Sequence, residues 1–186
     1  SELIKVATFR AGDDSSNNNN LIKDTSGKII RDNIRGDLEQ DTYRRDFTVN
    51  DLYYCPISQK FVGHKDGMKH IHEKSIVSIG DPVKRFSEDP VRSLRAIRFS
   101  NKLDFKIDKD IKEAIYEKGH LLSDISNARL FDEFCKIFLS GMAEKNFNKL
   151  SSYGLSKYLI STDSERSEFT RNLIVESLRN TDKRLI

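Results

Sequence analysis

The segment Glu88-Asp89-Pro90-Val91-Arg92-Ser93-Leu94-Arg95-Ala96-Ile97-Arg98-Phe99 constrains the fold of this chain more than any other stretch. Read as a helix, it starts near Ser87 to Pro90. Proline suits a first turn, where its missing N–H has no intrahelical partner, and Glu88 and Asp89 favour the positive end of the helix dipole. Counting round from Glu88, Arg92 falls at ~40°, Arg95 at ~340° and Arg98 at ~280°. Val91, Leu94 and Ile97 fall at ~300°, ~240° and ~180°. The basic and apolar stripes therefore overlap, and Arg98 is carried toward the packed side. An unpaired guanidinium there is costly, so Arg98 requires an acidic side chain or a phosphate. Two arrangements satisfy that demand: arginines paired with Glu88, Asp89 and the acids of a neighbouring element, or an arginine array aimed at a polyphosphate.

A second charged segment, Arg44-Arg45-Asp46-Phe47-Thr48-Val49-Asn50, lies about forty residues earlier. It closes a helix pattern that begins after Gly36, with Asp37 as N-cap and Gln40 in the position that reaches back to the cap. The pattern predicts a helix over 38–52. Asp41 and Arg45 are one turn apart, as are Asp46 and Asn50, which describes a solvated helix face with two polar pairs. The same residues have a sharper use. Asp46 and Asn50 present adjacent polar groups able to hold a ribose or orient an arginine, while Arg45 offers a two-pronged donor to a phosphate.

Elsewhere, residues 3–10 read as a strand, and the polar stretch 11–28, with its run of four asparagines, reads as a loop. Residues 52–57 and 59–63 read as a hairpin turned at Ser58, and 74–79 as a further strand. Everything beyond Pro82 reads helical, with patterns at 90–101, 108–118, 126–139, 142–152 and 165–180 broken at Gly119, Gly141 and Gly154. His70 and His72 flank Ile71 on one face of a possible strand, without a third ligand at a recognisable spacing. Phe131, Phe134, Ile137 and Phe138 form a stripe at helical spacing that suits packing better than base stacking. Lys102, Lys106, Lys109 and Lys112 could follow an RNA backbone, but the interspersed Asp104, Asp108 and Asp110 favour a solvated face.

These segments resemble a family. Val6-Ala7-Thr8-Phe9-Arg10, Arg31-Asp32-Asn33-Ile34-Arg35-Gly36-Asp37-Leu38-Glu39, the Arg44 to Asn50 stretch with Leu52-Tyr53-Tyr54, and Ile79-Gly80-Asp81-Pro82 leading to Glu88 through Phe99 carry the likeness. It continues through Leu121 to Ile125 and Ala128-Arg129-Leu130-Phe131-Asp132-Glu133 to Ser140-Gly141, and more weakly to Asn180-Thr181-Asp182. Together they resemble the bacterial poly(A) polymerase and CCA-adding tRNA nucleotidyltransferase class of template-independent nucleotidyltransferases. The stretches at Asp32-Asn33-Ile34 and Ala128 to Gly141 look more like the poly(A) polymerase branch.

The resemblance implies an α+β chain: a partial nucleotidyltransferase head, a short mixed β-sheet with helices over 1–81, followed by an all-helical neck and body over 82–186 with a nucleotide- and RNA-binding role. It implies that Arg45, Asp89, Arg92, Arg95 and Arg98 contact incoming ATP, Asp89 and Arg92 at the base edge and the other arginines at the triphosphate. Asp46 and Asn50 join them as nucleotide-binding candidates. The implied chemistry is attack of an RNA 3′-hydroxyl on the α-phosphate, assisted by Mg²⁺ ions held by carboxylates.

The sequence departs from the family where those carboxylates belong. The family's glycine-serine turn and Asp-x-Asp strand do not precede residues 3–10, so the metal ligands are expected outside this chain and the fragment is expected to be inactive by itself. Lys5 stands where relatives usually carry a carboxylate, and an ammonium does not ligate Mg²⁺. Gly63-His64-Lys65-Asp66-Gly67 replaces an acid followed by a double glycine. A start at Ser1 without methionine is read as an N-terminally incomplete enzyme. The alternatives are a CCA-adding enzyme, or a noncatalytic relative that binds RNA or a partner.

Composition adds bounds only. With 186 residues, 37% hydrophobic content and 11 phenylalanines, the chain has enough apolar material for a core. A net charge of +3 permits local RNA contact without demanding it. Cys55 and Cys135 lie far apart and are read as reduced, in a cytoplasmic protein with no apolar run long enough for a membrane.

Overall fold

In the computed structural model, which describes residues 8–10, 36–63, 66–160 and 168–185, Asp37 opens the first helix as its neighbours predict. Its carboxylate accepts the Gln40 N–H at 2.8 Å, and the Gln40 side chain accepts the Asp37 N–H at 3.3 Å. The helix itself, α1 (Leu38–Tyr43), is far shorter than the predicted 38–52. Arg44 closes it, Phe47 takes an extended backbone and is fully buried, and a single 3₁₀ turn follows over Thr48–Asn50. Burying the whole Phe47 ring outweighs two more turns of exposed helix. Asp46 and Asn50 consequently do not share a helix face.

The chain divides into two compact units, Ser1–Lys69 and His70–Ile186. In the first, β1 (Leu52–Cys55) and β2 (Lys60–Gly63) form the predicted antiparallel hairpin, with Tyr53 opposite Val62 and Cys55 opposite Lys60. The turn occupies 56–59. Phe9 stacks edge-on against Tyr53, its carbonyl accepting the Gly36 N–H at 3.0 Å. The rest of the predicted strand 3–10, the loop 11–28, the motif residues 31–35, Lys5, His64 and Lys65 lie outside the described residues.

Gly63 shows why this corner tolerates no side chain. Its φ is +147°, and a Cβ there would sit 1.9 Å from the Asp51 carbonyl oxygen. Gly63→Ala is expected to destabilise the hairpin by about 2 kcal/mol through forced backbone displacement. Thermal denaturation checks this. A midpoint within a degree or so of the parent would contradict it.

Helix α2 (Gly67–His72) spans the division between the units. His70 and His72 are therefore on a helix, not a strand, and two residues apart they point about 200° from each other. The shared face expected of them does not form.

In the second unit, β3 (Ser75–Ile76) pairs in parallel with β4 (Lys106–Ile107). Two corrections follow. The strand expected over 74–79 is two residues long, and the region beyond Pro82 is not wholly helical, because β4 interrupts it. The short mixed sheet takes the form of two separate two-stranded pieces among the described residues, one antiparallel and one parallel. Between β3 and β4 run α3 (Pro82–Glu88) and α4 (Val91–Leu103). Asp81 caps α3 by accepting the Val83 N–H at 3.0 Å, with Pro82 in the first turn. Helices α5 (Lys109–Lys118), α6 (Asn127–Phe138), α7 (Ala143–Ser152) and α8 (Glu168–Leu185) follow, close to the predicted patterns.

Helix α4 is the centre of this unit. Val91, Leu94, Ala96 and Ile97 are fully buried, against the core that Phe86, Ile111, Ile115, Ile137, Phe138 and Leu150 bring from the surrounding helices. A buried amide pair adds specificity: Asn101 Nδ2 donates to Asn146 Oδ1 at 2.8 Å, and Asn146 Nδ2 donates to the Ile137 carbonyl at 2.8 Å. Helix α8 supplies the missing cap of α7. Asp182 accepts the Ala143 and Glu144 N–H groups at 2.7 and 3.0 Å, and Arg179 forks onto Glu144 at 2.6 and 2.8 Å. Among the described residues no helix is long and apolar enough to cross a membrane.

Candidate nucleotide-binding residues

In the first unit the candidates are organised by Asp41. It is 1% exposed and accepts from the Arg10 N–H at 3.2 Å, from both Arg44 and Arg45, and from the Tyr53 hydroxyl. Arg45 reaches Asp41 Oδ2 at 2.8 Å through Nη2, donates through Nη1 to the Asn50 carbonyl at 3.0 Å, and lies 5.0 Å from the centre of the Tyr53 ring. The expected i, i+4 pair Asp41–Arg45 thus exists. Asn50 does orient an arginine, but with its backbone carbonyl. Asp46 sits in the bend between helix and 3₁₀ turn, half-buried.

The electrostatics follow from this packing. Burial alone would raise the Asp41 carboxyl, but the bonds from Tyr53, Arg45, Arg44 and the Arg10 N–H outweigh it and hold the group far below the ordinary carboxylate range. Burial, with the Asp41 bond next, pushes the Tyr53 hydroxyl up to about 12, so it stays a donor. Burial works against the Arg45 charge, and Asp41 more than restores it.

In the second unit α4 presents Arg92, Arg95 and Arg98 along one ridge, each half-buried. Glu88 is not at the start of this helix. It lies in the last turn of α3, 3.9 Å from both Lys84 and Arg85. Asp89 alone plays the predicted part: Oδ1 accepts the Val91 N–H at 3.2 Å, fixing the carboxylate at the helix start. Its Oδ2 accepts Arg129 Nη2 at 2.8 Å and lies 4.0 Å from Arg92 Nε. The Asp89 and Arg92 side chains are 14% and 13% exposed.

The acid demanded by Arg98 is Glu133 of α6, 2% exposed. Its Oε2 is 3.9 Å from Arg98 Nε, while Oε1 takes Arg95 Nε at 3.3 Å and Lys136 Nζ at 2.8 Å. Arg98 also covers the Phe99 ring at 4.4 Å. Sequence reasoning named neither Glu133 nor Arg129 as part of the site. The only signals were the need of Arg98 for an acid and the presence of both residues in the stretch Ala128 to Glu133.

The arrangement within each unit is chemically plain. Buried carboxylates hold arginine forks in fixed orientations, and a carboxylate beside a guanidinium offers one acceptor and one donor to a flat polar edge. Among the described residues no group of three or more His, Cys, Asp or Glu side chains is placed to hold a metal ion.

Comparison with known proteins places this architecture among the poly(A) polymerases and CCA-adding enzymes. Residues 1–77 match the poly A polymerase head domain, and residues 104–162 match the probable RNA and SrmB-binding site of polymerase A. The chain is 42% identical to poly(A) polymerase I of Haemophilus influenzae over 99% of its own length and 42% of that protein. It is 37% identical to the CCA-adding enzyme of Lactococcus lactis over 66% of its length and 31% of that enzyme. Among solved structures it superposes on the Bacillus stearothermophilus CCA-adding enzyme in complex with CTP with a TM-score of 0.63 and 29% identity, over 81% of this chain and 35% of that one. The chain belongs to the bacterial poly(A) polymerase and CCA-adding nucleotidyltransferase family, and spans about two fifths of the poly(A) polymerase I relative, 42% of its length.

Proposed function

We propose that this chain supplies nucleotide contacts to an RNA nucleotidyltransferase of poly(A) polymerase type, which transfers AMP from ATP to RNA 3′ ends. The observation that carries the proposal is Asp89 with Arg92 one turn on, both largely buried at the start of α4. A carboxylate accepts from an exocyclic amine, and a guanidinium donates to the neighbouring ring nitrogen. Adenine and cytosine both present that order of groups; guanine and uracil reverse it. Arg95 and Arg98, braced by Glu133, are proposed as triphosphate contacts in the second unit. In the first, Arg45, Asp46 and Asn50 are proposed as nucleotide contacts, with Asp41 as the residue that positions Arg45.

In the transfer itself the RNA 3′-oxygen bonds to the α-phosphorus as the bond to the bridging oxygen of pyrophosphate breaks, and the hydroxyl proton leaves to solvent. The described residues bind and orient the nucleotide for this step, holding positive charge against the phosphates before the attack. A cytoplasmic site of action is part of this proposal. The 42% identity to poly(A) polymerase I over nearly the whole chain favours AMP as the residue added. A CCA-adding role is the second reading, favoured by the shared polarity of adenine and cytosine and by the neighbour solved with CTP.

Competition of the four unlabelled nucleotides against radiolabelled ATP in equilibrium dialysis tests the base contact. GTP and UTP should compete at least about tenfold more weakly than ATP, since each would leave a buried polar group unpaired. Equal competition by all four would remove Asp89 and Arg92 from base recognition.

A further inference from the structure

Lys149 of α7 is held differently from the lysine one turn before it. Its Nζ donates to the Ser100 hydroxyl of α4, and that hydroxyl donates in turn to the Ile97 carbonyl at 3.2 Å. The partner of this amine is therefore a neutral oxygen. Asp104, the acid of this corner, pairs with Lys145 at 2.9 Å. Lys149 is also half-buried, whereas the Lys145 side chain is 52% exposed. Burial and then the Lys145 charge push the Lys149 ammonium below the ordinary lysine value; Asp104 opposes this, and Lys112 of α5 adds to it. A lysine amine is a nucleophile only after it has lost its proton, and partial burial beside other cations brings that about. The Ser100 bond contributes orientation. A neutral amine still donates one N–H to the hydroxyl, which fixes the nitrogen and turns its lone pair away from α4.

We propose that Lys149 is a site of covalent acylation by a small acyl phosphate, with Lys145 and Lys112 holding the phosphate of the donor. The Lys149 nitrogen lone pair attacks the acyl carbon, and the bond from that carbon to the bridging phosphate oxygen breaks. Inorganic phosphate leaves with the electron pair, and the proton shed by nitrogen passes to solvent. Nothing is oxidised or reduced. The charge around the nucleophile selects this donor. A neutral ester gains nothing from two ammonium groups, whereas an acyl phosphate is drawn to them and its departing negative charge is stabilised there. The product is a neutral amide, so the corner loses one positive charge while the Lys145–Asp104 pair is kept. Acylation at Lys149 is independent of the nucleotide contacts proposed on α4.

The test is acetylation of the folded chain by acetyl phosphate. Unreacted amines are then blocked with isotopically labelled acetic anhydride after unfolding, and the rate at each lysine is read by mass spectrometry. Lys84, whose side chain is 70% exposed and lies 3.9 Å from Glu88, is the internal reference. At about pH 8 and low salt Lys149 should react at least about fivefold faster than Lys84, and its rate should level off at a lower pH. Sodium chloride at about 0.5 M should lower that ratio at least about twofold. Lys145→Gln should slow Lys149 at least about threefold, because it removes a neighbouring cation and frees Asp104. Asp104→Asn should speed Lys149 about twofold, a gain that a damaged fold would not give. The left-handed backbone at Asp104, φ 55°, suits asparagine. With N-acetoxysuccinimide, an acetyl donor without phosphate, the preference for Lys149 should shrink. Acetylation of Lys149 no faster than Lys84, an unchanged rate in Lys145→Gln with parental circular dichroism, or an equal preference with the phosphate-free donor would overturn the proposal.

Discussion

Asp41→Asn is expected to cost the first unit about 3 kcal/mol, most of the stability of so small a unit. The substitution keeps the volume and removes the charge on which Arg44, Arg45, Tyr53 and the Arg10 N–H converge. The figure is at the low end for a buried ion pair, because the Arg44 and Arg45 side chains are 34% and 32% exposed and water recovers part of their solvation. Hydrogen exchange of the α1 and β1 amides checks it, and parental protection in the variant would contradict it. The same cluster sets a pH profile. The Asp41 carboxyl is depressed in the folded state, so its contribution is present above the unfolded value of about 3.9 and is lost as pH falls below it. Tyr53 is raised to about 12, so its contribution is present below its unfolded value near 10 and is lost as pH rises from there toward 12. Exchange protection should form a plateau between about pH 4 and 10, with an acid limb that Asp41→Asn flattens.

Glu133→Gln is expected to destabilise the second unit by about 2–3 kcal/mol and to loosen the proposed nucleotide contacts with it. Glu133 is 2% exposed and is approached by Arg95, Arg98 and Lys136, so an amide there removes the charge that compensates three cations. The discount from a fully buried pair reflects Lys136, whose side chain is half exposed. Urea denaturation should show a lower midpoint at unchanged slope. A midpoint equal to the parent would mean that Glu133 does not brace the arginines.

Helices α5, α6 and α7 were legible because each is bounded by a strong local signal. Gly141 and Gly154 take positive φ at the ends of their turns, and Asp108 caps α5. α3 was missed although Asp81-Pro82 is a helix start by the same rules; the acidic pair at 88 and 89 was assigned to the next helix, when it straddles the junction of the two. β4 is two residues long, too short for any periodicity to show, whereas β3 falls within the expected strand 74–79. The length of α1 failed for a different reason. Nothing local announces that Phe47 will be drawn into the core, or that Asp41 will gather donors from Arg10 and Tyr53, which are 31 and 12 residues away. The site behaved likewise: the arginine ridge and the Asp89 cap are local and visible, whereas Glu133 comes from 38 residues beyond Arg95. The demand of Arg98 for an acid was apparent from the helix alone; its source was not.

The most direct measurement of the central claim is isothermal calorimetry of ATP and CTP with Mg²⁺ on this chain and on Arg92→Ala. The account predicts that ATP binds in preference to CTP and that Arg92→Ala weakens ATP at least about tenfold, with unchanged circular dichroism. ATP binding of equal strength in the folded variant would contradict it.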